Sequence, residues 1–65
     1  MIKINGESID NISGKTVAEY LTENSYETKR VAVELNGDIL PKAHYEDTTL
    51  RDGDSVEIVS FVGGG

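Results

Sequence analysis

Two Asn-Gly pairs, Asn5-Gly6 and Asn36-Gly37, punctuate this chain more firmly than any other feature. A two-residue type I′ turn needs positive φ at both central positions, which Asn and Gly adopt at least cost, and its twist matches the strands on either side. Each pair therefore predicts a hairpin. Before the first pair, Ile2 and Ile4 alternate with Lys3 and Asn5, the period of a half-buried strand over Met1 to Asn5. A returning strand is expected from Glu7 to about Ile12, its regular part ending near Asp10 or Asn11 because Ile9 and Ile12 do not alternate. Before the second pair, Val31, Val33 and Leu35 alternate with Ala32, Glu34 and Asn36. Asp38-Ile39-Leu40 then returns as far as Pro41, which has no N–H to give a ladder. Asp52-Gly53 marks a third turn, leading into a last strand from Ser55 to about Phe61.

Ser13-Gly14-Lys15 interrupts the strand pattern, and Thr16 with Glu19 has the spacing of a capping box. Val17, Leu21 and either Ala18 or Tyr20 would form the apolar stripe of a helix, with Glu19 and Glu23 toward water. A helix ending near Glu23 or Asn24 is too short to persist alone, so it must pack on a sheet. Asn24 to Lys29 reads as a polar linker, and Lys42 to Asp47 as irregular or one helical turn. Hairpin, helix, then further strands is the element order of a β-grasp (ubiquitin-like) fold of the α+β class. That fold has a mixed sheet of four to five strands with one main helix across it. The first and last strands should lie side by side at the centre, and parallel, because a crossover helix intervenes.

Sixty-five residues make one domain at most. A chain this short buries only about 60% of the surface its unfolded form exposes, and having no cysteine it must hold together by packing alone. The lack of cysteine fits a reducing, cytoplasmic setting. Twelve acidic residues against six basic ones give a net charge of −6, which opposes contact with a nucleic-acid backbone and favours a partner with a basic surface. No apolar run approaches the ~20 residues of a membrane span, and Met1-Ile2-Lys3-Ile4 lacks the long apolar core of a signal peptide. Neither nucleic acid nor membrane is an expected partner, and an intracellular chain, monomeric when free, is expected.

Most candidate chemistry fails on residue type. His44 is the single histidine, set in the polar stretch Lys42-Ala43-His44-Tyr45-Glu46, and reads as solvated or hydrogen-bonded. Ser8, Ser13, Ser25, Ser55 and Ser60 have no neighbouring base to activate them. Asp52 and Asp54 flank Gly53 as turn residues do, without the several oxygen ligands of a calcium loop. Gly6, Gly37 and Gly53 are isolated, so none belongs to a phosphate-binding loop. No catalytic residue, metal ligand or bound cofactor is expected, and the chain does not read as an enzyme.

What remains is the end, Phe61-Val62-Gly63-Gly64-Gly65. One reading is a frayed terminus, since glycine is costly to order and chain ends are loosely held. The other is that the Gly65 carboxylate is the reactive group, presented on an arm thin enough for a narrow channel. From Val62 to Gly65 that arm reaches about 13 Å when extended at ~3.3 Å per residue.

Taken with the acidic β-grasp body, the Asp52-Gly53-Asp54 turn into Val56-Glu57-Ile58-Val59, and the terminal glycines, the whole chain resembles the ThiS family of sulfur carriers in thiamin biosynthesis. The resemblance implies a folded domain, 1–61, and a flexible tail, 62–65. It implies that a ThiF-like adenylating enzyme, using ATP and Mg²⁺, converts the Gly65 carboxylate to an acyl-adenylate. Sulfur from a donor such as a cysteine desulfurase would then leave a thiocarboxylate, which a ThiG-like thiazole synthase consumes. Gly63 and Gly64 would serve threading of the tail. If Val56 and Ile58 face the helix, then Glu57, Val59 and Phe61 lie on the opposite face, and with Val62 they form the expected docking patch. Glu34, Glu57 and Asp54 are expected to add electrostatic steering. Three other readings share parts of this pattern: a sulfur carrier for molybdopterin or tRNA thiolation, a ubiquitin-like protein modifier, and a plain binding module.

Overall fold

A computed structural model describes residues 1–61. Five strands form one sheet: β1 (Ile2–Ile4), β2 (Glu7–Ile9), β3 (Val31–Leu35), β4 (Asp38–Leu40) and β5 (Ser55–Ser60), in the order β2-β1-β5-β3-β4. One α-helix, α1 (Val17–Glu23), lies between β2 and β3 in the chain. The β1–β5 pair is parallel and all the others are antiparallel. This is the expected mixed sheet, with the first and last strands at its centre. Both Asn-Gly turns take the predicted form, with φ of 51° and 84° at Asn5 and Gly6, and 53° and 89° at Asn36 and Gly37.

The helix starts as its sequence dictates. Glu19 N–H donates to Thr16 Oγ1 at 3.1 Å, and Thr16 N–H donates to Glu19 Oε1 at 2.8 Å, which completes the capping box. The other exposed donors of the first turn reach across the chain: Val17 N–H donates to Thr48 O and Ala18 N–H to Tyr45 O, both at 2.9 Å. At the far end Ser25 takes φ 63°, Ser25 N–H donates to Thr22 O, and Tyr26 N–H donates to Leu21 O. That is a Schellman termination with serine where glycine is usual. Val17, Tyr20 and Leu21 are the buried stripe, so Tyr20 rather than Ala18 completes it.

Two expectations need correction. The second strand ends at Ile9 and not near Asp10 or Asn11; Asn11 turns the chain at φ 66°, and Ile12 is buried outside any strand. The linker from Asn24 to Lys29 is not merely polar, because Tyr26 packs against the core and Thr28–Arg30 forms a 3₁₀ turn. The stretch after Pro41 takes one of its two expected forms, a single helical turn, here a 3₁₀ turn over Lys42–His44, and it delivers Tyr45 to the core at 2% exposure. Leu50, at 1%, enters the core beside it. The core thus joins inward strand residues (Ile2, Ile4, Val31, Val33, Val56, Ile58) to the helix stripe, with Ile12, Tyr45 and Leu50 closing it.

Leu21 is wholly buried, so Leu21→Ala should cost about 3 kcal/mol, read as a lower urea midpoint at unchanged slope. Ile39→Ser, at a residue 77% exposed, should change stability by less than about 0.5 kcal/mol. A pH dependence follows from the tyrosines. Burial pushes the Tyr45 phenol above its ordinary value, opposed by a backbone hydrogen bond at Val33. Burial, then Tyr26 and Glu7, raise Tyr20 as well. Folded values above the unfolded value of about 10 favour the neutral phenols, so this stability is complete below about pH 10. It is lost as pH rises through the folded values, and urea midpoints should fall there; Tyr45→Phe should remove part of that slope.

Candidate functional site

The last strand decides what stands next to the tail. Along β5, alternation sends Val56 (2% exposed) and Ile58 (7%) into the core and Glu57, Val59 and Phe61 to the open face. Val59 and Phe61 are 57% and 58% exposed, two large apolar side chains with no cover among the described residues. Of the sequence-derived docking residues, Glu57, Val59 and Phe61 therefore share one open face. Val62, and Gly63, Gly64 and Gly65 with it, lie outside the described residues.

Register adds a residue that the sequence reading left out. Glu57 lies opposite Glu34 on β3, and Glu34 lies opposite Ile39 on β4. Ile39, at 77% exposure, thus shares the open face with Val59 and Phe61. Counting back from the Asn36-Gly37 turn would have placed it, since a two-residue hairpin fixes the pairing. Ala32, opposite Val59, completes a shallow apolar groove of about 200 Å³ lined also by Leu40, Pro41 and Phe61.

Two carboxylates meet on this face, and Lys3 on β1, the register partner of Ser55, shares it. Glu34 and Glu57 are directly opposed and exposed, and like charges so placed repel. Neither pairs with a cation among the described residues. Asp54, the third carboxylate expected to steer a partner, is held differently. Its Oδ1 accepts from Asn36 Nδ2 at 3.0 Å and its Oδ2 from Arg51 N–H at 2.9 Å, so it fastens the turn into β5.

The strand is anchored up to the residue where the tail begins. Phe61 N–H donates to Arg30 O at 2.7 Å, the last backbone bond holding this end to its neighbour among the described residues. His44 stands apart, with Nδ1 3.4 Å from Asp47 Oδ1 on an exposed turn. Among the described residues no three His, Asp or Glu side chains gather as a metal site needs, and no helix is long and apolar enough to cross a membrane.

The sequence model of the ThiS family matches residues 2–65. A sulfur carrier protein ThiS from Thermus thermophilus is 43% identical over 65 residues, with both chains covered completely. The crystal structure of a thiamine biosynthesis protein (ThiS) from Geobacter metallireducens is similar at a TM-score of 0.77 and 36% identity, covering 98% of this chain and 97% of that one. A thiazole synthase from Paramagnetospirillum magneticum is 44% identical over 62 residues, 95% of this chain but 19% of that protein. The chain thus spans about a fifth of that relative and the full length of the Thermus carrier. Likeness in sequence and in fold runs together from the first strand to the last, and the chain belongs to the ThiS family, the sulfur carrier proteins of thiamin biosynthesis.

Proposed function

We propose that the Gly65 α-carboxylate is the working group, that it carries sulfur as a thiocarboxylate, and that the folded body serves to dock and present it. A carboxylate is a poor electrophile. Attack of its oxygen on the α-phosphorus of ATP, with Mg²⁺ on the phosphates, would release pyrophosphate and give an acyl-adenylate with AMP as leaving group. A persulfide sulfur then displaces AMP, and a second thiol cleaves the acyl disulfide to leave the thiocarboxylate and a new disulfide. The sulfur passes to a thiazole synthase, and the chain returns as carboxylate, a co-substrate rather than an enzyme. ATP, Mg²⁺ and the sulfur donor, such as a cysteine desulfurase, belong to the partners. This thiol chemistry suits the cytoplasm.

The observation that carries this reading is that the family match runs through residue 65, directly after a strand anchored up to Phe61. Four residues beyond that anchor span about 13 Å when extended, enough to enter a channel while the body stays outside. A thiazole synthase that contains a segment like this chain supports the recipient, because both parts then serve one protein. Glu57, Val59, Phe61 and Val62 form the docking patch, which Ile39 extends across the sheet.

Incubated with a ThiF-like adenylating enzyme, ATP, Mg²⁺ and a sulfur donor, the chain should gain the mass difference between sulfur and oxygen at Gly65. Gly65→Ala should keep the fold and lose roughly a hundredfold in adenylation rate, since a small misplacement of the reacting atom has that effect. An unmodified wild-type terminus, or normal turnover of the variant, is the result that would sink the reading. Phe61→Ser should fold normally and bind the adenylating enzyme at least about tenfold more weakly, by titration.

A further inference from the structure

The geometry points to a second contact at the end of β5: its β1-facing edge, open at Ser60, receives an extended segment of the adenylating enzyme by main-chain hydrogen bonding. This rests on the carrier reading above.

Backbone groups along β5 alternate between its two edges. Toward β3, Asn36 N–H donates to Ser55 O and Phe61 N–H donates to Arg30 O, both at 2.7 Å, so odd-numbered residues face that side. Toward β1, Lys3 N–H donates to Asp54 O at 3.0 Å and Asn5 N–H to Val56 O at 2.8 Å. At the next step the partner is a side chain. Ile58 N–H donates to Asn5 Oδ1 at 2.7 Å, and Asn5 Nδ2 donates to Ile58 O at 3.2 Å. The Asn5 amide imitates a peptide group one position past the end of β1, while its own backbone, at φ 51°, turns away into Gly6. Ser60 is next in the even series. Its N–H and C=O point to the same edge, and among the described residues nothing pairs with them there.

An unpaired strand edge is a template for another chain. The occupant follows from what comes next in the chain. After Phe61 the sequence offers one apolar side chain, Val62, and then three glycines. An enzyme that must hold Gly65 in place therefore has chiefly peptide groups to grip. A ladder with the partner segment would begin at Ser60. Asn5 sets its start: it closes the edge through Ile58 and leaves the first free peptide unit at Ser60.

The test is amide hydrogen exchange on the full chain, alone and with the adenylating enzyme, ATP and Mg²⁺. In the free chain the Ile58 amide should be protected and the Ser60 amide should exchange freely; in the complex Ser60 should slow by at least about tenfold. Ser60→Pro deletes that N–H without touching the bonds to β3, and an extended residue before proline is tolerated. It should raise KM for adenylation roughly tenfold with kcat within about twofold, whereas Ser60→Ala should match wild type. A Ser60 amide that stays unprotected in a complex that adenylates Gly65 overturns the edge contact and leaves the carrier reading intact. Absence of wild-type adenylation overturns both. Protection of Ser60 in the free chain that grows with concentration assigns the edge to a second copy and overturns the proposal. Should Ser60→Pro fail to fold, the exchange measurement on wild type decides alone.

Discussion

The sheet is built around β5. It is the one strand paired on both sides by non-consecutive neighbours, parallel to β1 and antiparallel to β3. Both Asn-Gly turns are also tied to it through their amide side chains: Asn5 to Ile58, and Asn36 to Ser55 and Asp54. A parallel pair at the centre cannot be closed by a hairpin, so the chain between β1 and β5 must cross a face of the sheet. That crossing supplies α1, whose buried stripe covers the inward side chains of the sheet, Val56 and Ile58 among them. The same strand leads into the terminal glycines of the sequence, so the element that organises the fold also sets where they start.

The second dependence is between α1 and the irregular stretch before β5. A short helix has little internal bonding to offset its unsatisfied ends. Here the carbonyls of Tyr45 and Thr48 accept from the first-turn N–H groups, and Thr16 caps the third. Leu50 N–H donates to Lys15 O and Gly14 N–H donates to Leu50 O, stitching the same stretch to the residues before the cap. The segment thus owes its order to the helix it completes, and Tyr45 and Leu50 are buried as a consequence.

That reciprocity explains what was legible in the sequence. Features set by residues close in the chain could be read directly: the two I′ turns, the capping box, the alternation of β1, β3 and β5. The β-grasp order followed, because few topologies join a hairpin, a crossover helix and further strands in so short a chain. Tyr26, Tyr45 and Leu50 were not legible as core, since none sits in a periodic run and each is placed by contacts distant in sequence. The same division holds at the site. Glu57, Val59 and Phe61 follow from strand period alone, and Ile39 needed the register between strands. The role proposed for Gly65 rests on resemblance, because a glycine has no side chain from which chemistry could be argued.

The open face also bears on how a carrier lets go. Val59, Phe61 and Ile39 expose apolar area, while Glu34 and Glu57 oppose each other beside them without an ion pair among the described residues. Removing that acidic pair from water is costly unless a partner supplies positive charge. Such a pair would favour a basic partner over a second copy of this face, where the same carboxylates would meet. Exposed charges of this kind speed encounter more than they deepen affinity. Under the proposed cycle of loading by one enzyme and emptying by another, a tight interface would hold the carrier at the first stop, and the Glu34–Glu57 repulsion would favour release.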